Sequence, residues 1–573
     1  MCFQPYRISV EHISKGDLSM AIQIAIGYEG FEEIRKSGLY YVDKTELLYD
    51  LVSRTKNKVT LFTRPRRFGK TLNMSMIESF FEIGRDSRAV FDGLNIVKHE
   101  DFCHEWMNQY PVLFISFKDV DGLDFESAFI TLQGVISDLC FRYSHIFDND
   151  KIDPVDKATF AMLKEKRLAP AALKSCLKTI MRMMNAVYGR PVILLIDEYD
   201  VPLSKASEKN TAQNRYYEQM LDVVKGMLSI ALKTNEYLKF AVVTGCLRIA
   251  KESIFTGTNN FVSYSVLDEE FSEYFGFTRK EVDGLLAAVN REDQEDTIEE
   301  WYDGYVFGDT RVFCPWDVAS YVAALLRREN ARPKNYWKNT SSNSVIKEFV
   351  GRFKVSGKFE TLMNGGTITE TISDELTYDI LHETEQNLWS VLLITGYLTK
   401  ADPDAEVDTV ALKIPNTEIA GIFQEAVAVH FKESLDVSQQ EALMDALWAG
   451  DAETASGIMS DFLWKTISYM DYHEDYYHAF LAGLFVGRGY ETASNKERGL
   501  GRPDLQLSDV DNRRAIIIEA KKSDSAAQME KDCNDALKQI VDQGYAKNLN
   551  AGFETILCYG ISFFQKSAMI RKL

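Results

Sequence analysis

A chain of 573 residues is too long for one hydrophobic core, so we expect three or four domains of ~100–200 residues each. Hydrophobic residues make up 46% of the sequence and charged residues 26%, as in globular proteins. The sequence holds no run of ~18 apolar residues, so we expect no membrane-spanning helix. The first twenty residues lack a charged start followed by a long apolar run, which argues against a secretory signal. The eight cysteines are scattered without a CxxC pair. We therefore expect a cytoplasmic protein without a membrane partner, a disulfide framework or a zinc site.

The net charge of −20 argues against general binding to nucleic acid, which requires that phosphates be neutralised. The charge is uneven, however. Residues 471–573 hold 15 acidic and 14 basic residues, so the negative excess lies in the first 470 residues. A role on nucleic acid is therefore expected to be local to the C-terminal part or to depend on a metal ion.

Short apolar runs in the first half of the chain predict the strands of one sheet. Residues 1–20 are expected to be a loose tail, and the next segment mixes short elements up to residue 57. Helical stretches then separate four apolar runs, which are VTLFT (59–63), PVLFISF (111–117), VILLID (192–197) and LKFAVVTG (238–245). This alternation predicts an α/β fold in which helices cover both faces of a parallel sheet.

The rest of the sequence predicts further regions. An aromatic and acidic segment is expected to be a small helical lid or connector, and a mostly helical middle region without a chemical motif follows it. A second α/β unit ends the chain. The predicted boundaries are 1–20 for the tail, 21–265 for the parallel-sheet domain, 266–330 for the lid, 331–470 for the middle region and 471–573 for the last domain.

A Gly-Lys-Thr triplet follows the first predicted strand and precedes a helical segment. In this arrangement, the P-loop, backbone N–H groups surround the phosphates of a nucleotide, the lysine reaches the β and γ oxygens, and the hydroxyl binds Mg²⁺. Arg64 stands where the first glycine of the usual pattern would be, and a basic turn capping a helix is the alternative. The predicted nucleotide-binding segment consists of Arg64, Pro65, Arg66, Arg67, Phe68, Gly69, Lys70 and Thr71.

Two carboxylates end the third predicted strand. Asp197 is expected to hold Mg²⁺ together with Thr71, and Glu198 to polarise the attacking water. The next strand ends near Thr244, which is expected to contact the γ-phosphate or that water. Arg248 is predicted to reach phosphate oxygens, although a surface position suits it equally. One predicted strand lies between the strand of the Gly-Lys-Thr triplet and the acidic strand, and a strand with a polar tip follows the acidic one. This sequence of strands matches the additional-strand class of P-loop ATPases.

Arg66 and Arg67 leave three partners open, which are the nucleotide, a partner protein and a carboxylate of the lid. Their position beside the triplet does not distinguish among these.

Two strands near the C-terminus predict a second site. A two-residue turn at Asp511-Asn512 would place Asp504 opposite Glu519, since each lies equally far from the turn. Lys521 follows Glu519 by two residues and so points to the same face. Two carboxylates and a lysine suit metal-dependent hydrolysis of phosphodiesters, because the carboxylates hold the metal and the lysine positions water.

Flanking helical segments extend this second site. Glu474 in HEDYYHAFLAGLF is predicted to add a third metal-binding carboxylate, and Gln539 on a later helix another contact. His478 is as compatible with packing. Together these residues predict a PD-(D/E)XK nuclease fold.

Segments across most of the chain resemble one bacterial family. They are FEEIRKSGLYYVDKT (31–45), TRPRRFGKT (63–71), LLIDEYDVPL (194–203), VVTGCLRIAKESIFTGTNN (242–260), WYDGYVFG (301–308), EDYYHAFLAGLF (474–485), GRPDL (501–505) and IIIEAKKS (516–523). The chain resembles AAA-ATPase-like proteins fused to a C-terminal PD-(D/E)XK nuclease-like domain, in which the RPRRFGKT form of the loop is usual. The resemblance implies ATP with Mg²⁺ in the front half, and Mg²⁺ or Mn²⁺ at a nuclease-like site in the back.

Three functional hypotheses follow. The first is an ATPase that controls a nuclease acting on nucleic acid through residues 471–573. The second is a nucleotide-dependent switch, in which nucleotide state changes contacts with a partner or within a homo-oligomer and the C-terminal fold only binds. The third is a scaffold in which neither site is active. The acidic charge favours the second hypothesis, and the Asp504, Glu519 and Lys521 set favours the first.

Overall fold

A computed structural model of the chain defines its architecture. The residues described are 22–146, 149–208, 216–248, 261–337, 346, 357–363, 365–373, 376, 378, 384–402, 409–434, 437–466, 477, 480, 481, 484, 491–494, 503–510, 512–546 and 553–573.

The first half of the chain is built on a parallel sheet. Its strands in the described part are β1 (Val59–Thr63), β2 (Val112–Ser116), β3 (Val192–Asp197), β4 (Leu238–Gly245) and β5 (Phe261–Tyr264). They lie in the order β2-β3-β4-β1-β5, and each neighbouring pair is parallel. β4 separates the P-loop strand β1 from the acidic strand β3, which confirms the additional-strand class. The edge strand β5 was not predicted, because its four residues, FVSY, form too short a pattern.

Helices cover both faces of this sheet, as predicted. They are α1 (Phe31–Lys36), α2 (Glu46–Tyr49), α3 (Lys70–Phe81), α4 (Arg88–Phe91), α5 (Glu100–Trp106), α6 (Phe125–Arg142), α7 (Pro154–Lys164), α8 (Pro170–Leu173), α9 (Cys176–Tyr188), α10 (Val201–Glu208) and α11 (Tyr217–Leu232). Strand side chains alternate between the faces. Ile193 and Leu195 of β3 therefore pack in the core with α3, whereas Leu194 and Ile196 pack in a second core with α6, α9 and α11.

The segment after the sheet folds into helices around a short hairpin. It contains α12 (Arg279–Ala288), α13 (Glu295–Tyr302), the hairpin strands β6 (Tyr305–Phe307) and β7 (Thr310–Val312), and α14 (Pro315–Arg327). α12 begins with a capping box, in which Thr278 and Glu281 satisfy each other's backbone N–H groups.

The middle region is largely helical, as predicted, but also holds a small sheet. Its helices are α15 (Gly357–Met363), α16 (Glu385–Ile394), α17 (Thr417–Ser434), α18 (Val437–Ala449) and α19 (Ala452–Thr466). β8 (Ile368–Thr371), β9 (Thr399–Lys400) and β10 (Thr409–Lys413) form an antiparallel sheet in the order β8-β10-β9. These strands are too short to produce a clear alternating pattern in the sequence.

The C-terminal domain is a mixed sheet with a long helix against it. Its strands are β11 (Glu491–Ser494), β12 (Leu505–Asp509), β13 (Arg514–Lys522), β14 (Thr555–Phe564) and β15 (Ser567–Lys572), in that order across the sheet, and α20 (Met529–Asp542) packs on β13 and β14. Only β13 and β14 pair in parallel. The arrangement confirms the predicted C-terminal α/β domain. In the described residues, no helix is long and apolar enough to cross a membrane.

Candidate functional site

The P-loop joins the end of β1 to the start of α3. Gly69, directly before α3, has φ +79°, and no atom lies within 4 Å of the position that its Cβ would occupy. Glycine is therefore favoured here by the left-handed backbone and not by lack of space. Lys70 and Thr71 begin α3, so the positive end of the helix dipole faces the loop.

The ammonium group of Lys70 is held over the loop. It donates to the carbonyl oxygens of Arg64 at 3.0 Å and Pro65 at 2.9 Å, and lies 3.8 Å from the Sγ of Cys246. Lys70 is only 5% exposed, so its charge is directed into the site.

Three elements bring a carboxylate and two hydroxyl groups together beside this lysine. The hydroxyl of Thr71 on α3 donates to one oxygen of Asp197 at 2.8 Å, and the hydroxyl of Thr244 on β4 donates to the other. Asp197 ends β3 and is fully buried. A hydroxyl and a carboxylate next to a lysine and a helix N-terminus are the donor set that fits a magnesium–nucleotide complex.

Glu198 follows Asp197 and lines the cleft above it. Its φ of +52° is unusual for a residue other than glycine, a type of strain that often marks functional sites. Burial raises the pKa of Glu198; the charges of Asp197 and Asp200 add to the rise, while Lys70 and Arg66 oppose it. A carboxylate with a raised pKa is a suitable proton acceptor.

The side chain of Arg64 does not reach the site, which corrects its predicted role in binding nucleotide; only its carbonyl oxygen contacts Lys70. Its side chain is fully buried and donates to the carbonyl oxygens of Thr63 at 2.9 Å and Tyr264 at 2.8 Å. The guanidinium also lies over the rings of Phe275 and Phe307, at 5.1 and 5.5 Å from their centroids. Arg64 therefore fastens β1 to β5 and is turned away from the cleft.

The other residues of the loop have different surroundings. Arg66 lines the cleft, where burial opposes its charge but nearby Cys246, Tyr378 and Glu198 raise its pKa overall. Arg67 also lines the cleft and lies over the ring of Trp316 at 4.1 Å.

Phe68 and Pro65 serve packing. Phe68 is fully buried, with its ring 5.0 Å from those of Tyr305 and Phe307. Pro65 has no N–H to offer a phosphate, and its carbonyl is bonded to Lys70. The structure does not place Arg248 in the lining of the cleft, and this residue is half-buried beyond β4.

The cleft has a volume of about 520 Å³ and extends well beyond the P-loop. Apolar and aromatic side chains also line it, among them Ile24, Tyr40, Phe277, Leu285 and Trp316. The cleft therefore combines the cationic loop and the start of α3 with surface that suits a flat, largely apolar group.

The C-terminal domain gathers the second predicted set. β12 and β13 pair with Leu505 opposite Ile518, so the same register places Asp504 opposite Glu519. Asp504 accepts a bond from the N–H of Ala520 at 2.8 Å, and its own N–H lies 3.3 Å from a Glu519 oxygen. The ammonium group of Lys521 is 3.9 Å from Glu519.

Gln539 on α20 also meets this set, because its amide donates to Glu519. Tyr545, which the sequence did not suggest, lies near Gln539, Glu519 and Asp504. Glu474 and His478 lie outside the described residues. Among the described residues, no three His, Cys, Asp or Glu side chains are arranged to hold a metal ion. Asp504 and Glu519 thus provide two carboxylates of a potential metal site.

Comparison with known proteins finds a family match in the first half of the chain and another at its C-terminal end. A family model described as "Predicted AAA-ATPase" matches residues 25–255, and one described as "PD-(D/E)XK nuclease superfamily" matches residues 472–573. The chain carries an AAA-ATPase-like domain and a PD-(D/E)XK superfamily domain. A protein from Azotobacter chroococcum mcd 1, "Uncharacterized protein in vnfD 5'region", is 24% identical over 560 residues, which cover 96% of this chain and 98% of that protein. That similarity therefore also spans the region between the two matches.

The DKT segment links the AAA-ATPase-like domain to the lid. Asp43 accepts from the N–H of Thr45 at 2.9 Å and from that of Asn95 at 2.6 Å. Lys44 is 8% exposed and donates to the carboxylate of Glu281 and the carbonyl of Glu273, both at 2.6 Å. The partner on α12 is more than 200 residues away, so the sequence offered no signal for this ion pair.

The WYDGY segment joins the lid to the middle region. Gly304 has φ +104°, and a Cβ there would lie 2.0 Å from the carbonyl oxygen of Pro415. The amide of Asn416 donates to the carbonyl of Asp303 at 2.9 Å. This glycine is thus required by a close approach of two backbones.

Asp200 is a buried residue of the AAA-ATPase-like domain that sequence reasoning missed. One oxygen accepts from the backbone N–H groups of Cys246 and Leu247, each at 3.0 Å, and from the hydroxyl of Tyr378 at 2.8 Å. A third carboxylate after Asp197-Glu198 was the available signal, but its partners lie far along the chain.

Proposed function

We propose that the AAA-ATPase-like domain binds and hydrolyses ATP with Mg²⁺ in the cleft above β1 and β3. The observation that carries this proposal is the convergence of Thr71, Asp197 and Thr244 beside Lys70. When bound, Mg²⁺ would offset phosphate charge. Thr71 and Asp197 would hold the metal, and Lys70 would exchange its carbonyl partners for phosphate oxygens, which bind a cation more strongly.

Glu198 would accept the proton of the attacking water. Its raised pKa supports this role, and its position beside Asp197 keeps it near the phosphate end of the cleft. Arg66 shares that end and would add positive charge opposite the phosphates. The apolar and aromatic part of the lining, which includes Tyr40 and Phe277, is suited to hold the base.

We propose further that the PD-(D/E)XK domain cleaves nucleic acid with Mg²⁺ or Mn²⁺. Asp504 and Glu519 would hold the metal, and Lys521, which is 33% exposed at its side chain, would position the water. Gln539 orients Glu519 through its amide.

Titration with Mg²⁺ and ATP tests the first proposal. Lys70→Ala is expected to weaken binding by ~100-fold or more, because a charged contact to phosphate is lost in a buried site. Lys164→Ala is the control: this lysine is on α7 and its ammonium group lies over the ring of Phe141 and not at the P-loop, so ATP binding should stay unchanged. Equal affinities for the wild type and Lys70→Ala would contradict the nucleotide site.

A cleavage assay on single-stranded DNA, double-stranded DNA and RNA, with ATP and either metal, tests the second proposal. Lys521→Ala should abolish cleavage, whereas Lys522→Ala should retain it. The two lysines are neighbours on β13, and alternation directs Lys522 to the opposite face. A wild-type protein that cuts none of these substrates would exclude the nuclease function.

A nucleotide-dependent switch is the second candidate function. One hydrophobic cluster contains Phe68 of the P-loop, Trp337 and Tyr397 of the middle region, and Ile516 and Tyr559 of the PD-(D/E)XK domain. A continuous packed core gives nucleotide binding a physical route to the C-terminal domain. In this case the C-terminal domain binds a partner, and ATP should change that binding without any cleavage.

A further inference from the structure

Tyr378 reaches the AAA-ATPase-like domain from the middle region. Its hydroxyl donates to Asp200 at 2.8 Å, and its carbonyl accepts from the hydroxyl of Ser207 at 2.9 Å. Tyr378 is 8% exposed and Asp200 only 1%, so both lie in the interior. The match to the ATPase family ends at residue 255. The contact therefore connects the nucleotide site to a part of the chain outside the matched domain.

Asp200 joins the ends of the two strands that carry the polar site residues. It lies two residues after Glu198 of the acidic turn. The N–H groups that it accepts belong to Cys246 and Leu247, directly beyond the strand of Thr244. One buried carboxylate oxygen with three donors fixes their relative positions strongly. A shift of either strand end is thus expected to move Asp200, and with it the partner of Tyr378.

The P-loop meets the middle region at a second point. Gly396 follows α16 and has φ +85°, and a Cβ there would lie 3.0 and 3.1 Å from the Cβ and Cγ of Pro65. The carbonyl of Pro65 is one of the two that hold Lys70. The middle region therefore contacts both the phosphate loop and the strand ends.

The phenol of Tyr378 is suited to donate a lasting hydrogen bond. Burial, and next the charge of Asp200, raise its pKa well above the usual value, so the hydroxyl stays protonated. The titratable groups of Cys246 and Tyr199 also raise the pKa of Tyr378. Tyr378 in turn raises the pKa of Arg66 in the P-loop.

We propose that Tyr378 is a positioning residue through which the middle region responds to the nucleotide. The inference rests on the proposed ATP site. Binding of Mg²⁺ and the phosphates at Asp197, which also accepts from Thr244, displaces the ends of β3 and β4. Asp200 follows, and its bond to Tyr378 transfers the change to the segment that holds α16 and the small sheet. The middle region is then part of the ATPase and not a passive connection.

Hydrogen exchange of the full chain, with Mg²⁺ and a slowly hydrolysed ATP analogue, tests this proposal. In the wild type, the analogue should slow exchange across residues 385–402 by ~10-fold, because local opening becomes less frequent. Tyr378→Phe keeps the ring and removes the hydroxyl. It should bind the analogue within ~3-fold of the wild type but show less than ~2-fold slowing.

Tyr321→Phe is the matched control. It also removes a buried hydroxyl, which donates to Gln294 at 2.8 Å in the lid, without contact to the nucleotide site. This variant should retain the wild-type slowing. The proposal is overturned if Tyr378→Phe retains it too, or if the wild type binds the analogue with no change at 385–402. Failure of the wild type to bind at all, measured by titration, would instead refute the ATP site and with it this inference.

Discussion

Arg64 and Arg66, two residues apart in the P-loop, are expected to have opposite effects when replaced by alanine. Arg64→Ala should lower stability and leave nucleotide affinity nearly unchanged, because its side chain lies in the core. Arg66→Ala should lower affinity for ATP by ~10–100-fold with little effect on stability, because its side chain lines the cleft.

The magnitude for Arg64 follows from its contacts. Loss of its two bonds leaves the carbonyls of Thr63 and Tyr264 without this donor, at ~1–3 kcal/mol each, and loss of the contact with the aromatic rings adds ~2 kcal/mol. A cavity adds ~2–3 kcal/mol. Against these losses, burial lowers the pKa of Arg64 to about 9, so removing the buried charge recovers ~4–5 kcal/mol. The expected net loss is ~4 kcal/mol, in the middle of a range of ~1–7 kcal/mol.

Thermal melting and ATP titration of the two variants measure the difference. A loss of ~4 kcal/mol should lower the melting temperature of the AAA-ATPase-like domain by ~8–16 °C. The reasoning is refuted if Arg64→Ala melts like the wild type, or if it remains folded and loses ATP affinity as Arg66→Ala does.

Three further predictions concern other groups. Because burial raises the pKa of Glu198, the rate of ATP hydrolysis should increase as pH rises through this raised pKa and the carboxylate loses its proton. Glu198→Gln should lower kcat by ~100-fold or more while ATP still binds. An unchanged kcat in this variant would exclude Glu198 as the base. Gly69→Ala should lower the stability measured by thermal melting by only ~1–2 kcal/mol, the cost of a strained left-handed backbone. Gly304→Ala should lower it much more, because the new Cβ would meet the carbonyl oxygen of Pro415. Equal losses of stability would contradict this close approach of two backbones. Burial and the charge of Asp317 raise the pKa of Glu418 to about 9. The stability that this group contributes is therefore complete below its pKa of ~4.3 in the unfolded chain and is lost as pH rises through about 9. Glu418→Gln should flatten this fall in melting temperature with pH, and an equally steep fall in the variant would show that other groups cause it.

The place of β3 in the parallel sheet and the register of the C-terminal strands could both be predicted from short stretches of sequence. The continuous apolar run of β3 and the two carboxylates at its end predicted both its burial and its place in a P-loop sheet. The β12–β13 register followed from counting residues on either side of one turn. Both inferences succeed because the decisive residues lie within about fifteen positions of each other along the chain.

Side-chain direction within the P-loop was not predictable in the same way. Arg64 replaces a glycine and was expected to face phosphate, but the carbonyl of Thr63, a carbonyl of β5 and aromatic rings of the lid and the hairpin hold it in the core. Phe275 and Phe307 are more than 200 residues away, and no pattern near Arg64 indicates which contacts will form.

The sequence by itself determined the parallel-sheet class, the position of the loop around Lys70 and Thr71, and the pairing of Asp504 with Glu519. Short apolar runs separated by helical stretches, a Gly-Lys-Thr triplet after a strand and turn length are local properties of the chain. Only the tertiary structure decided the direction of each arginine, the link from Lys44 to Glu281 and the contact of Tyr378 with Asp200. Those contacts join residues more than 100 positions apart, and they form only where packing of the complete cores leaves a buried donor beside a buried acceptor.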